Sequence, residues 1–404
     1  MNPNRTVSQW MPPPREALCD RTALKPPPTV RVLHIIENLD RGAVENWLVR
    51  MFRHGRERGD TLDWTFYCAL GREGKLDDEV RRLGGRIVYS PVPLADKRRF
   101  ITSLRKELRD GNYEVLHCHH DLVSAIYLAA AVGIPLRKRL VHVHNADESV
   151  LTPNRLKATL LRPILRRTCL TLADGIIGIS NHTLDTFLAG RQRRPKCDRV
   201  HYYGINPAPF LAARVDRKAF RRELGLSDDA RILLFAGRIV PEKNPLFALE
   251  VLAAMRRRDP CVVGVFVGSG SLENALRERA AKLVIEDSVR FLGWRSDVPG
   301  IMTACDWFIL PRPEHPMEGL GIAVVEAQLA GLRLLLSRGI ANDPLLPGSV
   351  WSRIGLDEGA DRWAEEARAL GERVPPGPEE AAGVLAKSVF DMDTAWQDLM
   401  SLYE

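Results

Sequence analysis

Two glutamates, Glu318 and Glu326, stand eight residues apart in the segment PRPEHPMEGLGIAVVEAQLAG, residues 311–331. Gly319, Leu320 and Gly321 lie between them, after an apolar run at 307–310 and before an apolar helical stretch that carries Glu326 on its second turn. Strand, glycine turn and helix in that order aim unpaired backbone N–H groups and the positive end of a helix dipole at an anion. Eight residues at helical rise put the two acids roughly 12 Å apart. Each can therefore meet one end of an extended ligand whose negative charge lies in the middle, which is the layout of a nucleotide-diphosphate sugar.

Other residues gather around this idea. Arg238 and Lys243 stand five apart after the apolar strand 231–237, and Gly268-Ser269-Gly270 follows the apolar strand 262–267. A surface cation is usually only solvated, and a GSG turn is common. Two cations beside a glycine loop and a helix start, in this order, make a diphosphate site that uses no metal. Two histidine pairs, His117 with His119 and His142 with His144, fall at strand ends. Alternate residues of a strand share a face, but no carboxylate falls at ligand spacing beside the HCHH run at 117–120, so no metal is expected there. The histidines read either as core residues or, for His119 and His144, as imidazoles facing a cleft, able to donate to a phosphate or a sugar hydroxyl.

The elements that must position these residues follow from length and periodicity. A chain of 404 residues suggests two domains. With 45% hydrophobic and 27% charged residues it reads as a soluble globular protein. No run approaches the roughly 20 apolar residues of a membrane span, and residues 1–9 lack a secretory core, so the expected location is the cytoplasm. Seven cysteines are scattered singly without CxxC spacing, as reduced thiols mostly in cores. The net charge of +7 points to anionic ligands or lipid head groups. Basic residues without interleaved aromatics argue against nucleic acid.

Proline triplets at 12–14 and 26–28 mark residues 1–28 as a tail. Beyond them, strand patterns alternate with helical ones. The first half reads strand 30–36, turn 40–43, helix 44–58, strand 62–69, helix 76–83, strand 86–89, helix 100–108, strand 115–117, helix 122–131 and strand 173–180. The second half repeats the alternation from strand 231–237 through helices and strands to strand 332–336, ending in helical patterns at 360–370, 379–385 and 390–403. Such alternation predicts an α/β protein with two doubly wound, Rossmann-like parallel sheets, ligands binding beyond the carboxyl ends of their strands. Glycines and prolines at 200–209 mark the crossing between domains. A basic apolar helix at 154–172, with Arg155, Arg162 and Arg166 at nearly one angle, reads as a solvated face and also suits an anionic membrane surface.

At GRIVPEKN (237–244), FVGSGSLENALR (266–277), VRFLGWRSDVPGIMTACDWFILP (289–311) and EGLGIAVVE (318–326) the chain resembles glycosyltransferase family 4, from about residue 30 to the end. NLDRGAVENWL (38–48) and IPLRKRLVHVHN (134–145) are similar to enzymes of capsule and exopolysaccharide biosynthesis. The resemblance implies a GT-B fold, with two Rossmann-like domains facing across a cleft. Residues 29–205 would form an acceptor domain, 206–385 a nucleotide-sugar donor domain, and 386–404 a terminal helix crossing back to the first. It implies a retaining hexosyltransferase that moves a sugar from a nucleotide-diphosphate donor to a lipid-linked or polysaccharide acceptor, with no cofactor or metal. Arg238 and Lys243 would neutralise the diphosphate as the sugar leaves. Glu326 would accept from the ribose hydroxyls, and Glu318 would lie by the donor sugar. Gly319, Leu320 and Gly321 would offer backbone N–H groups. Gly268 and Gly270 would belong to the same donor site, and Phe291 and its neighbours to 294 would face the base. From the first domain, Gly42 and Ala43 would approach the phosphates, and His119 or His144 the transferring sugar. The family shows two glycines where this chain has Gly42-Ala43. Cleft closure would exclude water, and peripheral contact with the inner face of the membrane would fit the acceptor.

Rival readings are a GT-B epimerase or hydrolase, a dinucleotide-binding oxidoreductase, and a non-catalytic scaffold. The oxidoreductase requires GxGxxG after the first strand, where this chain has Asp40-Arg41-Gly42-Ala43. A scaffold has no need of Arg238, Lys243, Glu318 and Glu326 together. Asp391-Met392-Asp393 imitates a metal-binding DxD but falls in the terminal helix.

Overall fold

The computed structural model describes residues 30–40, 42–145, 155–213 and 217–404. The Pro-rich stretch 1–28 and the start of the basic helix at Asn154 lie outside the described residues.

Apolar-rich runs become strands, the central ones buried on both faces. In the amino-terminal half these are β1 (Arg31–Ile36), β2 (Asp63–Cys68), β3 (Arg86–Tyr89), β4 (Val115–Cys118), β5 (Lys138–Val143), β6 (Gly175–Gly178) and β7 (Arg199–Val200). They form one sheet in the order β3-β2-β1-β4-β5-β6-β7. In the second half, β8 (Arg231–Ala236), β9 (Val262–Val267), β10 (Val289–Gly293), β11 (Trp307–Leu310), β12 (Arg333–Ser337) and β13 (Trp351–Ile354) form another, in the order β10-β9-β8-β11-β12-β13. Every pairing is parallel. Strand order reverses between β1 and β4 and again between β8 and β11, and these two switch points open the crevices where a doubly wound sheet takes its ligand.

The sequence pattern carried no strand at β13 and no helix at Asn181–Leu188, both of which are present. β13 is an edge strand of four residues, too short to show its period. The helix starts at Ser180, whose hydroxyl accepts from the Thr183 N–H at 3.1 Å, an N-cap that the apolar run before it conceals.

The last helix, Met392–Ser401, packs on the amino-terminal half. Trp396 lies against Trp64 with ring centroids 5.9 Å apart, and its indole donates to Asp60 at 2.8 Å. Gly55 makes room for it, since a Cβ there would come within 2.4 Å of the indole. Lys138 donates to the Leu402 carbonyl at 3.2 Å, and the Tyr403 hydroxyl lies 2.9 Å from His117 Nδ1. The DxD look-alike has structural employment: Asp391 caps this helix by accepting from the Thr394 N–H at 2.9 Å, and Asp393 meets His54 at 3.0 Å and pairs with Arg58.

Candidate active site

β11 ends at Leu310, and the chain then loops through Arg312 and Glu318 into the helix Ile322–Leu329. Gly321 caps that helix with φ +76°, a left-handed conformation that favours glycine. The loop is anchored from behind. The Glu318 N–H donates to the Gly339 carbonyl at 2.9 Å, and the Ser337 hydroxyl donates to the Arg312 carbonyl at 2.5 Å. Among the described residues, the backbone N–H groups of residues 319 to 323 find no acceptor. Five consecutive unspent donors at a helix N-terminus, in the switch-point crevice, are an arrangement that can take an anion.

Glu318 sits beside these donors, and its carboxylate is held by cations from two other segments. Lys243 Nζ lies 2.7 Å from both Oε1 and Oε2, and Arg312 Nη1 lies 3.0 Å from Oε2. Arg312 also donates through Nε to the Pro316 carbonyl at 3.0 Å, so one guanidinium ties the loop together. Burial works to raise the Glu318 carboxyl, but Lys243, Arg312 and Arg238 outweigh it and leave it below the usual glutamate value. Burial lowers the Lys243 ammonium, against the pull of Glu318. Two cations therefore bind one carboxylate, and a third acts on it without contact. A partly desolvated excess of positive charge is costly unless an anion completes it, and a diphosphate carries the complementary charge.

Glu326 lies one helical turn further on. Burial raises its carboxyl, opposed by the charge of Arg50, which belongs to the amino-terminal helix Ala43–Glu57. No hydrogen bond or ion pair occupies Glu326 among the described residues, so its oxygens remain available to hydroxyl donors.

The glycine loop after β9 has a structural cause. A Cβ on Gly268 would lie 1.9 Å from the Gly237 carbonyl, and one on Gly270 2.3 Å from that of Ile239. Their N–H groups are spent within the protein: Gly268 donates to Gly293 at 2.8 Å, and Gly270 donates to the Glu273 carboxylate at 2.8 Å. The close approach stitches the ends of β8, β9 and β10 into the wall of a pocket of about 270 Å³. Phe291, Phe266, Ile239 and Gly268 line it, and Arg277 stacks over Phe291 at 5.0 Å. Aromatic side chains with a guanidinium over one of them suit a heteroaromatic ring. Arg238, beside Ile239 in the chain, is exposed.

In the amino-terminal half, Gly42 caps the helix Ala43–Glu57 and Ala43 is exposed. The Glu45 carboxylate folds over Gly42, where a Cβ would come within 2.0 Å of it. Burial, with Glu37 and Asp40 nearby, pushes the Glu45 carboxyl up to about 7.

The histidines turn inward. His34 Nδ1 lies 3.1 Å from His119 Nε2, His119 Nδ1 lies 3.0 Å from His144 Nε2, and His144 Nδ1 meets the Tyr203 hydroxyl. Both ring nitrogens of His119 and of His144 are thus engaged inside the protein, beneath Trp47. Burial holds His34, His117, His119, His142 and His144 below the usual histidine value, His144 down to about 3. Two overlapping triads, His34-His117-His119 and His119-His142-His144, bring one nitrogen each within 4.8 Å of one another, the donor type of zinc-class ions. A cation there would have to break the hydrogen bonds of His119. Within the first triad the ring planes lie 20° to 40° apart, and within the second 25° to 37°.

The two halves meet at the site. The Thr183 hydroxyl donates to the Gly319 carbonyl at 3.2 Å, and a Cβ on Gly319 would lie 3.0 Å from the His144 carbonyl. Asp343 Oδ2 accepts from the Asn181 N–H at 3.0 Å, the Asn181 amide at 3.1 Å and the Tyr202 hydroxyl at 2.9 Å. Sequence reading passed over Asp343, Glu45 and Arg312. Arg312 did carry a signal: like Arg238, it stands two residues beyond the end of one of the two central strands, β8 and β11.

A search of solved structures finds this architecture in HepE of Anabaena, solved in complex with UDP-glucose, with TM-score 0.69 at 17% identity over 92% of this chain and 98% of that one. Two parallel Rossmann-like sheets in this arrangement define the GT-B class. The family model "Glycosyltransferase Family 4" matches residues 41–208, and "Glycosyl transferases group 1" matches residues 216–341. EpsF of Bacillus subtilis, which carries the description of a glycosyltransferase, is 27% identical over 92% of this chain and 96% of its own length. The UDP-Gal:alpha-D-GlcNAc-diphosphoundecaprenol alpha-1,3-galactosyltransferase of Escherichia coli is 27% identical over 67% of this chain and 70% of its own. The chain belongs to the group 1 and family 4 glycosyltransferases.

Proposed function

We propose that this glycosyltransferase moves a hexose, with retention of configuration, from a nucleotide-diphosphate sugar to a lipid-linked or growing polysaccharide acceptor in cell-surface polysaccharide synthesis. The observation that carries the donor class is the run of unspent N–H groups from 319 to 323 next to the Glu318 carboxylate with its partners Lys243 and Arg312, on the same sheet edge as the pocket over Phe291. In this reading the base enters the pocket over Phe291, the ribose hydroxyls donate to Glu326, and the diphosphate takes Arg238, Lys243 and the amides of Gly319, Leu320 and Gly321. Glu318 attends the donor sugar. Gly42 and Ala43 close over the phosphates, and the buried chain of His34, His119 and His144 shapes the wall opposite. Charge on the leaving diphosphate is met by fixed cations and backbone dipoles, so the transfer step calls on no metal.

The relative that acts on a diphosphoundecaprenol-linked sugar supports a lipid-linked acceptor. In the helix Arg155–Leu172, Leu160 and Ile164 are 66% and 60% exposed one turn apart, which supports contact with a membrane surface. No helix among the described residues is long and apolar enough to cross a membrane.

A panel of nucleotide sugars screened by thermal shift tests the donor class, and stabilisation by none of them would overturn it. Nucleotide release is then followed with and without a diphosphoundecaprenol-linked sugar. Release that requires the acceptor supports transfer, whereas equal release without it favours the hydrolase reading.

A further inference from the structure

Glu318 has two cationic partners where its proposed work leaves it only one. In the nucleotide-free arrangement Lys243 Nζ bonds both of its oxygens at 2.7 Å. A diphosphate bound at the neighbouring amides competes for that ammonium, which is a compact, flexible point charge. Arg312 is differently placed. It is only 9% exposed, and it holds Glu318 Oε2 at 3.0 Å while its Nε is committed to the Pro316 carbonyl at 3.0 Å. Its own carbonyl is pinned by Ser337. A planar guanidinium held through two of its nitrogens, on a residue whose backbone is itself anchored, stays with the loop.

We propose that Arg312 is a positioning residue that keeps the Glu318 carboxylate paired and oriented after an incoming nucleotide diphosphate draws Lys243 away. The site then works by exchange of partners. Without nucleotide, Lys243 and Arg312 share Glu318. With it, Lys243 turns to the phosphates and Arg312 alone holds the acid toward the donor sugar. The charged groups that face Glu318 are Lys243 and Arg238, from the chain following β8, and Arg312, from the end of β11. Arg238 is exposed and makes no contact with the carboxylate, so it cannot take over from Lys243. Deprived of both close partners and set beside a diphosphate, Glu318 would take up a proton.

This inference rests on the diphosphate reading of the site, and the experiment separates the two. The full-length protein is titrated with UDP, GDP, ADP, CDP and dTDP, and binding of none of them refutes the donor reading itself. The tightest binder is then measured by calorimetry in buffers of different ionisation enthalpy, which counts protons taken up on binding. Wild type should take up almost none near neutral pH. Arg312→Leu should bind at least tenfold more weakly and take up a proton, and that uptake should vanish in the Arg312→Leu, Glu318→Gln double variant. Arg312→Lys should restore proton-neutral binding, yet leave kcat low with KM near normal, because an ammonium cannot hold Glu318 and the Pro316 carbonyl together. Thermal denaturation of each variant checks that the fold persists. Unchanged affinity and no proton uptake in a folded Arg312→Leu would overturn the proposal. So would an Arg312→Lys variant indistinguishable from Arg312→Leu in every readout, which would make Arg312 a loop anchor only.

Discussion

Lys243 and Glu318, 75 residues apart in the chain, meet with the ammonium 2.7 Å from each carboxylate oxygen. Neither group is fully desolvated, their side chains being 16% and 14% exposed, and Glu318 directly precedes the unspent amides at 319 to 323. Removing Lys243 leaves the Glu318 carboxylate still paired with Arg312, so no uncompensated charge remains to destabilise the fold. The consequence of the pair is functional, because it stores a cation at the place where a diphosphate arrives. Lys243→Met should therefore weaken nucleotide binding by about 2 kcal/mol, roughly thirtyfold, with little change in melting temperature. Calorimetric titration beside a thermal melt checks both halves.

Glu326 should give nucleotide binding an acid limb. Its carboxyl is raised above the ordinary 4.5 by burial, with Arg50 opposing. Protonation removes its ability to accept from ribose hydroxyls, so affinity should fall as pH drops through that raised value. The fall should begin above the pH at which an ordinary glutamate titrates. Glu326→Gln should bind more weakly at neutral pH and lose the limb. A 2′,3′-dideoxynucleotide should show no such limb even with wild type.

Glu45 should set a slope in stability against pH. Its folded carboxyl titrates at about 7 against an ordinary 4.5. The folded state therefore keeps a proton that the unfolded state gives up, and stability is lost as pH rises from about 4.5 to about 7. Glu45→Gln removes that loss. Its melting temperature should match wild type near pH 4 and exceed it at pH 8, and parallel melting curves across that range would refute the assignment.

Trp396 should carry much of the attachment of the last helix. It is 3% exposed, packs on Trp64 and fills the space left by Gly55. Trp396→Ala should cost about 3–5 kcal/mol. Limited proteolysis should then release the carboxy-terminal segment before either sheet is cut.

Much of the fold was legible because its signals are local. The alternation of apolar runs with amphipathic stretches lies within windows of ten to fifteen residues, and it yields two doubly wound sheets whatever their neighbours do. Gly321 and the run after it announce a helix start in the same way. The glycines at 268 and 270 were visible too, but not the structural cause they also have. They let the ends of β8 and β9 approach, and their amides are already spent. A glycine records only that a side chain is not tolerated, and the sequence does not say whether a ligand or another strand stands in its place.

The chemistry of this protein was thus determined in kind by the sequence alone: two acids eight residues apart at a glycine-capped helix, cations after a strand, and histidines alternating at strand ends. Which of these groups touch was decided only in three dimensions. Strand order set β8 beside β11, and so brought Lys243 and Arg312 to one carboxylate. Packing of β1, β4 and β5 under Trp47 turned the histidines toward one another. The physical reason is range. Backbone preference and hydrophobic period act between residues close in the chain, whereas hydrogen bonds and ion pairs act over a few ångströms of space, and only the folded topology says which distant residues come that close.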